Sequence, residues 1–128
     1  MKEVSSVTIP AEPGYLVAVR LFASALAAKE GFDIDTAEEI KLCTAEACML
    51  LINQPYSVAS LTVAFSLCRE CMDIEVIASG DFSPAEREPN EETGLGKDIL
   101  EALSDSLEIC WENGALNKVI FSKTVSEG

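Results

Sequence analysis

Gly94-Leu95-Gly96-Lys97 places two glycines one residue apart, with a cation at the expected start of a helix. Glycine has no Cβ, so backbone N–H groups there can come close to a phosphate. The N-terminal dipole of the helix would add to that attraction, and Lys97 would add a positive charge. The pattern is short, and a structural glycine turn before a helix is the simpler reading. Cys68-Arg69-Glu70-Cys71 is a second candidate. Zinc needs two further ligands, and a redox pair of this spacing is expected at a helix N-terminus. This pair falls between two strands, so turn residues are the simpler reading. Glu46, taken alone, is a solvated carboxylate on an amphipathic helix. Cys43 and Cys48 lie on the same helix and read as small buried hydrophobes, and Cys110 reads similarly within a strand. Trp111 should point to the opposite face from Cys110, as core or as an interface anchor. The chain has no histidine. That removes Ser-His-Asp triads, Cys-His dyads, His-ligated zinc and histidine phosphotransfer.

The bulk properties narrow the classes further. With 128 residues, 48% hydrophobic and 24% charged, the chain is expected to form one domain over 1–128, with no need of a disulfide or metal. Nine Lys+Arg against twenty-two Asp+Glu give a net charge of −13. Such a chain cannot displace counterions from phosphates, which disfavours direct nucleic-acid binding, and anionic membranes are disfavoured for the same reason. A basic protein partner is permitted. No apolar run is long enough to span a bilayer, and MKEVSSVTIP has no signal-peptide core. Five cysteines without a signal read as reduced thiols, so the expected location is cytoplasmic.

Periodicity lays out the elements that carry these residues. Val4–Ile9 alternates and ends at Pro10, as a strand does. Leu16, Val19, Phe22, Ala23, Leu26 and Ala27 fall at helical spacing, and Gly31 stops that helix. Asp35 or Thr36 is the expected cap of a second helix running to about Asn53, ahead of Pro55. Leu61–Phe65 and Ile74–Ala78 read as strands joined by a connection over Cys68–Asp73. Gly80–Gly94 is polar and Glu-rich, a solvated loop or a docking surface for a basic partner. A third helix is expected from near Lys97 to near Asp105. Two final strands, Leu107–Trp111 and Val119–Val125, flank an Asn113-Gly114 turn. The order β-α-α-β-β-α-β-β predicts an α+β two-layer sandwich. Its mostly antiparallel, mixed sheet has about five strands, with three helices on one face.

This order, with three stretches of sequence, resembles the histidine-kinase-like ATPase domain. The nearest subgroup is the bacterial anti-sigma-factor serine/threonine kinases of partner-switching pathways. Ile9-Pro10-Ala11-Glu12-Pro13 and the Tyr15–Ala28 helix look like the family's opening. Glu39–Cys48 looks like its second helix, and Thr93-Gly94-Leu95-Gly96 like its second glycine box. The resemblance covers Val7 to Val125. It implies ATP or ADP with Mg²⁺ as cofactors, and a Glu base with, four residues later, an Asn that ligates the metal. Glu46 fills the base position, but Leu50 stands at the ligand position and offers no lone pair to a hard cation. Asn53 shares the face of Glu46 but lies about one turn too far along. The family's adenine-binding Asp falls on Gly80; Asp81 is one residue late, where a bulge could rescue it. Gly94, Leu95, Gly96 and Lys97 match the phosphate box. The segment Phe82–Thr93 would be the nucleotide lid, and its Glu86, Glu88, Glu91 and Glu92 face Arg87 alone.

The resemblance therefore implies a partner-switching regulator that binds a sigma factor or a STAS-type antagonist, with weakened or absent ATP/Mg²⁺ binding, and a homodimer. An active serine/threonine kinase using Glu46 is the alternative. A third reading is a sensor that reuses the nucleotide pocket, lined by Leu50 and Cys48.

Overall fold

The computed structural model describes residues 3–68, 70–85 and 92–124. Strand β1 (Glu3–Pro10) leads through a short 3-10 turn into helices α1 (Leu16–Glu30) and α2 (Ile34–Ile52). Strands β2 (Ser60–Cys68) and β3 (Cys71–Ser79) come next, then α3 (Glu92–Leu103), β4 (Ser106–Glu112) and β5 (Ala115–Thr124). The five strands form one sheet in the order β1-β2-β3-β5-β4. All four pairings are antiparallel, so the sheet is not mixed.

The helices assemble as their apolar stripes require. α1 buries Leu16, Val19, Ala23 and Ala27, one stripe at helical spacing. It ends on Gly31 at φ 72°, whose N–H reaches Ala27 and Ala28, so the glycine stop is borne out. α2 lies between α1 and α3 and buries Ile40, Cys43, Ala47, Cys48, Leu50 and Leu51. These meet Leu61, Val63, Phe65, Ile74, Val76, Val119 and Phe121 from the sheet. Phe22 adds a ring 5.6 Å from Phe65. The α2 cap is Asp33, accepting from the Thr36 N–H at 2.7 Å, rather than Asp35 or Thr36. Lys123 ties the layers together. It pairs with Glu39 of α2 and donates to the Leu103 carbonyl, one of the unpaired acceptors at the end of α3.

Three further details differ from expectation. β2 and β3 stay paired as far as Cys68 and Cys71, which are register partners across a two-residue connection. The expected loop over Cys68–Asp73 is therefore mostly strand. α3 starts at Glu92, not near Lys97, and ends at Leu103. Cys110 is half-buried rather than buried, with its thiol near Glu108. At the hairpin between β4 and β5, Asn113 (φ 53°) and Gly114 (φ 84°) both adopt left-handed backbone, the type I′ turn that the dipeptide announces. The register slips between Cys110/Trp111 and Lys118/Leu116, which leaves Asn117 as an extra residue, a bulge. Among the described residues no helix is long and apolar enough to cross a membrane.

Candidate functional site

The C-terminal half of α2, the first turns of α3 and the β4–β5 hairpin enclose a cleft of about 570 Å³. Leu50, Asn53, Gln54, Pro55 and Tyr56 come from the end of α2 and the segment just beyond it. Gly94 and Lys97 come from α3, and Ile109, Trp111, Gly114 and Leu116 from the hairpin. Of the residues singled out in the sequence, the structure thus gathers Leu50, Asn53, Gly94, Lys97 and Trp111. Trp111 is 63% exposed and is not a core residue.

Two walls of the cleft, the end of α2 and the start of β5, are tied together by a residue that the sequence does not flag. Gln54 is buried, and its Nε2 donates to the carbonyls of Leu51 (3.0 Å) and Leu116 (2.6 Å). Its Oε1 accepts from the Leu116 N–H at 2.8 Å. The side-chain amide behaves as one more strand residue against the bulged start of β5. Its partner is 62 residues away, so no local pattern could have found it.

Glu46 is not among the residues lining the cleft. It sits half-buried between α2 and α3, and a Cβ built on Gly96 would meet its Oε2 at 2.6 Å. Gly96 is buried and Gly94 is exposed, and both are helical. They are not a loop ahead of the helix. Gly96 lies past the first turn, so its N–H serves the helical ladder and is not available to a phosphate. Leu95 is exposed and outside the cleft. Glu86, Arg87, Glu88 and Glu91 fall outside the described residues, as do the side chains of Glu92 and Thr93.

Gly80 and Asp81 lie elsewhere. With Phe82, Glu112, Asn113, Ala115 and Asn117 they line a second concavity of about 370 Å³. At Gly80 a Cβ would stand 2.8 Å from the Ala59 nitrogen, 3.2 Å from the Ser57 oxygen and 3.3 Å from Val58 Cα. The space where a side chain would project is filled by the backbone of residues 57–59. That backbone is fixed by hydrogen bonds from Ala59 N–H to Ser79 O (2.8 Å), from Phe82 N–H to Ser57 O (3.1 Å) and from Ser57 N–H to Ser83 O (2.7 Å). Asp81 is exposed and accepts from the N–H and hydroxyl of Ser83, both at 3.1 Å. Those bonds hold its carboxyl below the usual range. Asn117 Nδ2 donates to Glu112 at 3.1 Å, while its buried Oδ1 has no partner.

A magnesium nucleotide fits this arrangement poorly. The position that the resemblance assigns to the metal ligand is Leu50, 6% exposed and without a donor atom. Among the described residues no three acidic or thiol side chains are placed to hold a metal. Lys97 is the only charged side chain among the described residues that line the cleft. The cysteines of α2 offer no nucleophile either. Burial pushes the Cys43 thiol up to about 11 and that of Cys48 up to about 12.

The sheet order, the placement of α2 and α3 and the cleft between them form a frame that can be compared with known proteins. A model of the histidine kinase-like ATPase domain matches residues 9–123. The chain belongs to that family. It is 30% identical over 122 residues to the serine-protein kinase RsbW of Bacillus cereus, covering 83% of this chain and 76% of that one. It is 26% identical over 140 residues to RsbW of Bacillus velezensis, covering 94% and 88%. Among solved structures, the RsbU and RsbW domains of a Mycobacterium tuberculosis protein superpose with a TM-score of 0.77. That match covers 98% of this chain and 33% of the other, at 18% identity, and is a likeness of fold.

Proposed function

We propose that this chain is an anti-sigma-factor-like regulator of a partner-switching pathway. It acts as a single domain over 1–128, and as a homodimer, by binding a sigma factor or a STAS-type antagonist. In this reading ATP and Mg²⁺ are not part of its mechanism. The observation that carries the reading is Leu50: a buried aliphatic side chain stands where the family needs an oxygen ligand. Phosphoryl transfer depends on metal neutralisation of the phosphates, so loss of that ligand removes the chemistry while leaving the binding fold. The backbone packed against Gly80 supports it, because no adenine-binding carboxylate fits there. The acidic charge suits a basic partner surface.

Calorimetry with ATP and ADP, with and without Mg²⁺, tests the nucleotide half. A ligand at a hundredfold excess over its Kd would stabilise by about 2.7 kcal/mol, an easily measured rise in melting temperature. No heat and no rise are expected at millimolar nucleotide. Co-purification with the sigma factor or STAS protein encoded nearby tests the other half, with a complex expected whether or not nucleotide is added.

A second reading, an active serine kinase, is favoured by the named activity of the RsbW relatives and by Glu46 at the base position. It requires ATP-dependent phosphorylation of a STAS-type partner that Glu46→Ala abolishes. Normal turnover in that variant would sink the role of Glu46.

A further inference from the structure

The cleft beside Leu50 has the size and lining of a small-molecule site. Its walls are mainly apolar, from Leu50, Ile109 and Leu116, with the indole of Trp111 at one side. Three residues with polar side chains also line it: Asn53, Tyr56 and Lys97. None of the three has a side-chain hydrogen bond or ion pair among the described residues. The contrast with Gln54 is informative, because that side chain spends both ends of its amide on backbone. Of the polar side chains lining the cleft, Gln54 is thus committed to the fold, whereas Asn53, Tyr56 and Lys97 are not.

Charge limits what the cleft can take. One ammonium, in a chain of net −13, can balance one negative charge. A triphosphate would leave several charges uncompensated against apolar walls. From this we infer that the cleft binds an aromatic or polycyclic monoanion, a carboxylate or sulfonate on an apolar body. The anionic group sits on Lys97 and the ring system lies against Trp111. Such a ligand lies outside the regulatory reading, and its binding does not depend on which protein the chain meets.

Trp111 is the chain's single tryptophan, so it reports on the cleft directly. The test is a titration of the full chain with anilinonaphthalenesulfonate, exciting Trp111 and reading energy transfer to the probe. A saturable, single-site curve is expected. Lys97→Gln should weaken the sulfonate about tenfold, the loss of one charge-assisted contact. It should leave the neutral analogue N-phenylnaphthylamine unchanged. Gly94 lines the cleft with open space around the site of a Cβ. Gly94→Phe should therefore fold, as circular dichroism would verify, and should block the probe at least as strongly.

Three results would overturn the proposal: no saturable binding, affinity unchanged in both variants, or equal losses for the charged and neutral probes in Lys97→Gln. Displacement of the probe by micromolar MgATP would overturn it too, and would fell the nucleotide-independent reading with it. A failed search for protein partners touches only that reading.

Discussion

The two concavities flanking the Asn113-Gly114 turn are made from neighbouring stretches of chain and have opposite character. On one side Asp81 and Glu112 supply carboxylates, and both are already engaged, by Ser83 and Asn117. On the other, the walls are aliphatic and aromatic, and Asn53, Tyr56 and Lys97 are uncommitted. The carboxylates of the acidic side are hydrogen-bonded within it, and the buried Oδ1 of Asn117 is left without a partner there. The apolar side keeps its polar groups in reserve. Charge alone would point to the acidic hollow as the functional one, whereas the state of the hydrogen bonds points to the other.

The sharpest way to break this contrast is Gln54→Ala. It leaves the Leu116 N–H and carbonyl buried without partners and should cost about 2–4 kcal/mol in chemical denaturation. Cleft binding should vanish with it, while Asp81 and Ser83 keep their bonds. Next comes a pair of glycines, one from each side. Gly80→Ala drives a Cβ into fixed backbone and should destabilise by about 2 kcal/mol. Gly94→Ala meets open space in a helix and should stabilise by roughly 0.5–1 kcal/mol. Equal effects at the two positions would show that the backbone of residues 57–59 yields.

A smaller effect is expected where α2 meets α3. Gly96→Ala should displace the Glu46 carboxylate and cost about 1 kcal/mol, yet become neutral or stabilising in a Glu46→Ala background. Additive effects would mean that the two residues do not touch. The smallest concerns acid. The Asp81 carboxyl is held below its ordinary value of 3.8, so its contribution to stability is complete above that value and is lost as pH falls through the depressed one. Asp81→Asn should lower stability slightly at pH 7 and leave it unchanged once pH is below the depressed value, so that the profile flattens near pH ~4. Lys97→Gln should leave that profile unaltered.

The layout of elements was legible because it rests on local signals. The stripe on α1, Gly31 and the Asn-Gly turn each carry their own short-range physics. Where reading failed, a distant partner decided. Gly94 and Gly96 look like loop because glycine is a poor helix former. Inside α3, however, Gly96 is what lets the carboxylate of Glu46 lie against the helix. Ser66, Cys68 and Asp73 do not look like strand, but pairing with β3, and of β3 with β5, extends the ladder through them. Asp33 won the cap over Asp35 because the helix begins one residue after it. The family frame could be read from the element order together with Ile9–Pro13, Glu39–Cys48 and Thr93–Gly96, and the resemblance then sets Leu50 at the ligand position. The clamp by Gln54 and the blocked space at Gly80 could not, since both depend on backbone brought in by the fold.

The extra residue at Asn117 has one more consequence. A strand's side chains alternate strictly, so inserting a single residue reverses which face every later position presents. Leu116 and Val119, three positions apart, both enter the core because the reversal falls between them, while Ala115, on the opposite face from Leu116, lines the second hollow. The tip of the hairpin is thereby rotated out of step with the rest of the sheet. Its residues can change in size or polarity without disturbing the alternation that Val119 and Phe121 maintain in the core. A site edged by such a tip can be refitted to new occupants while the scaffold beneath it stays the same.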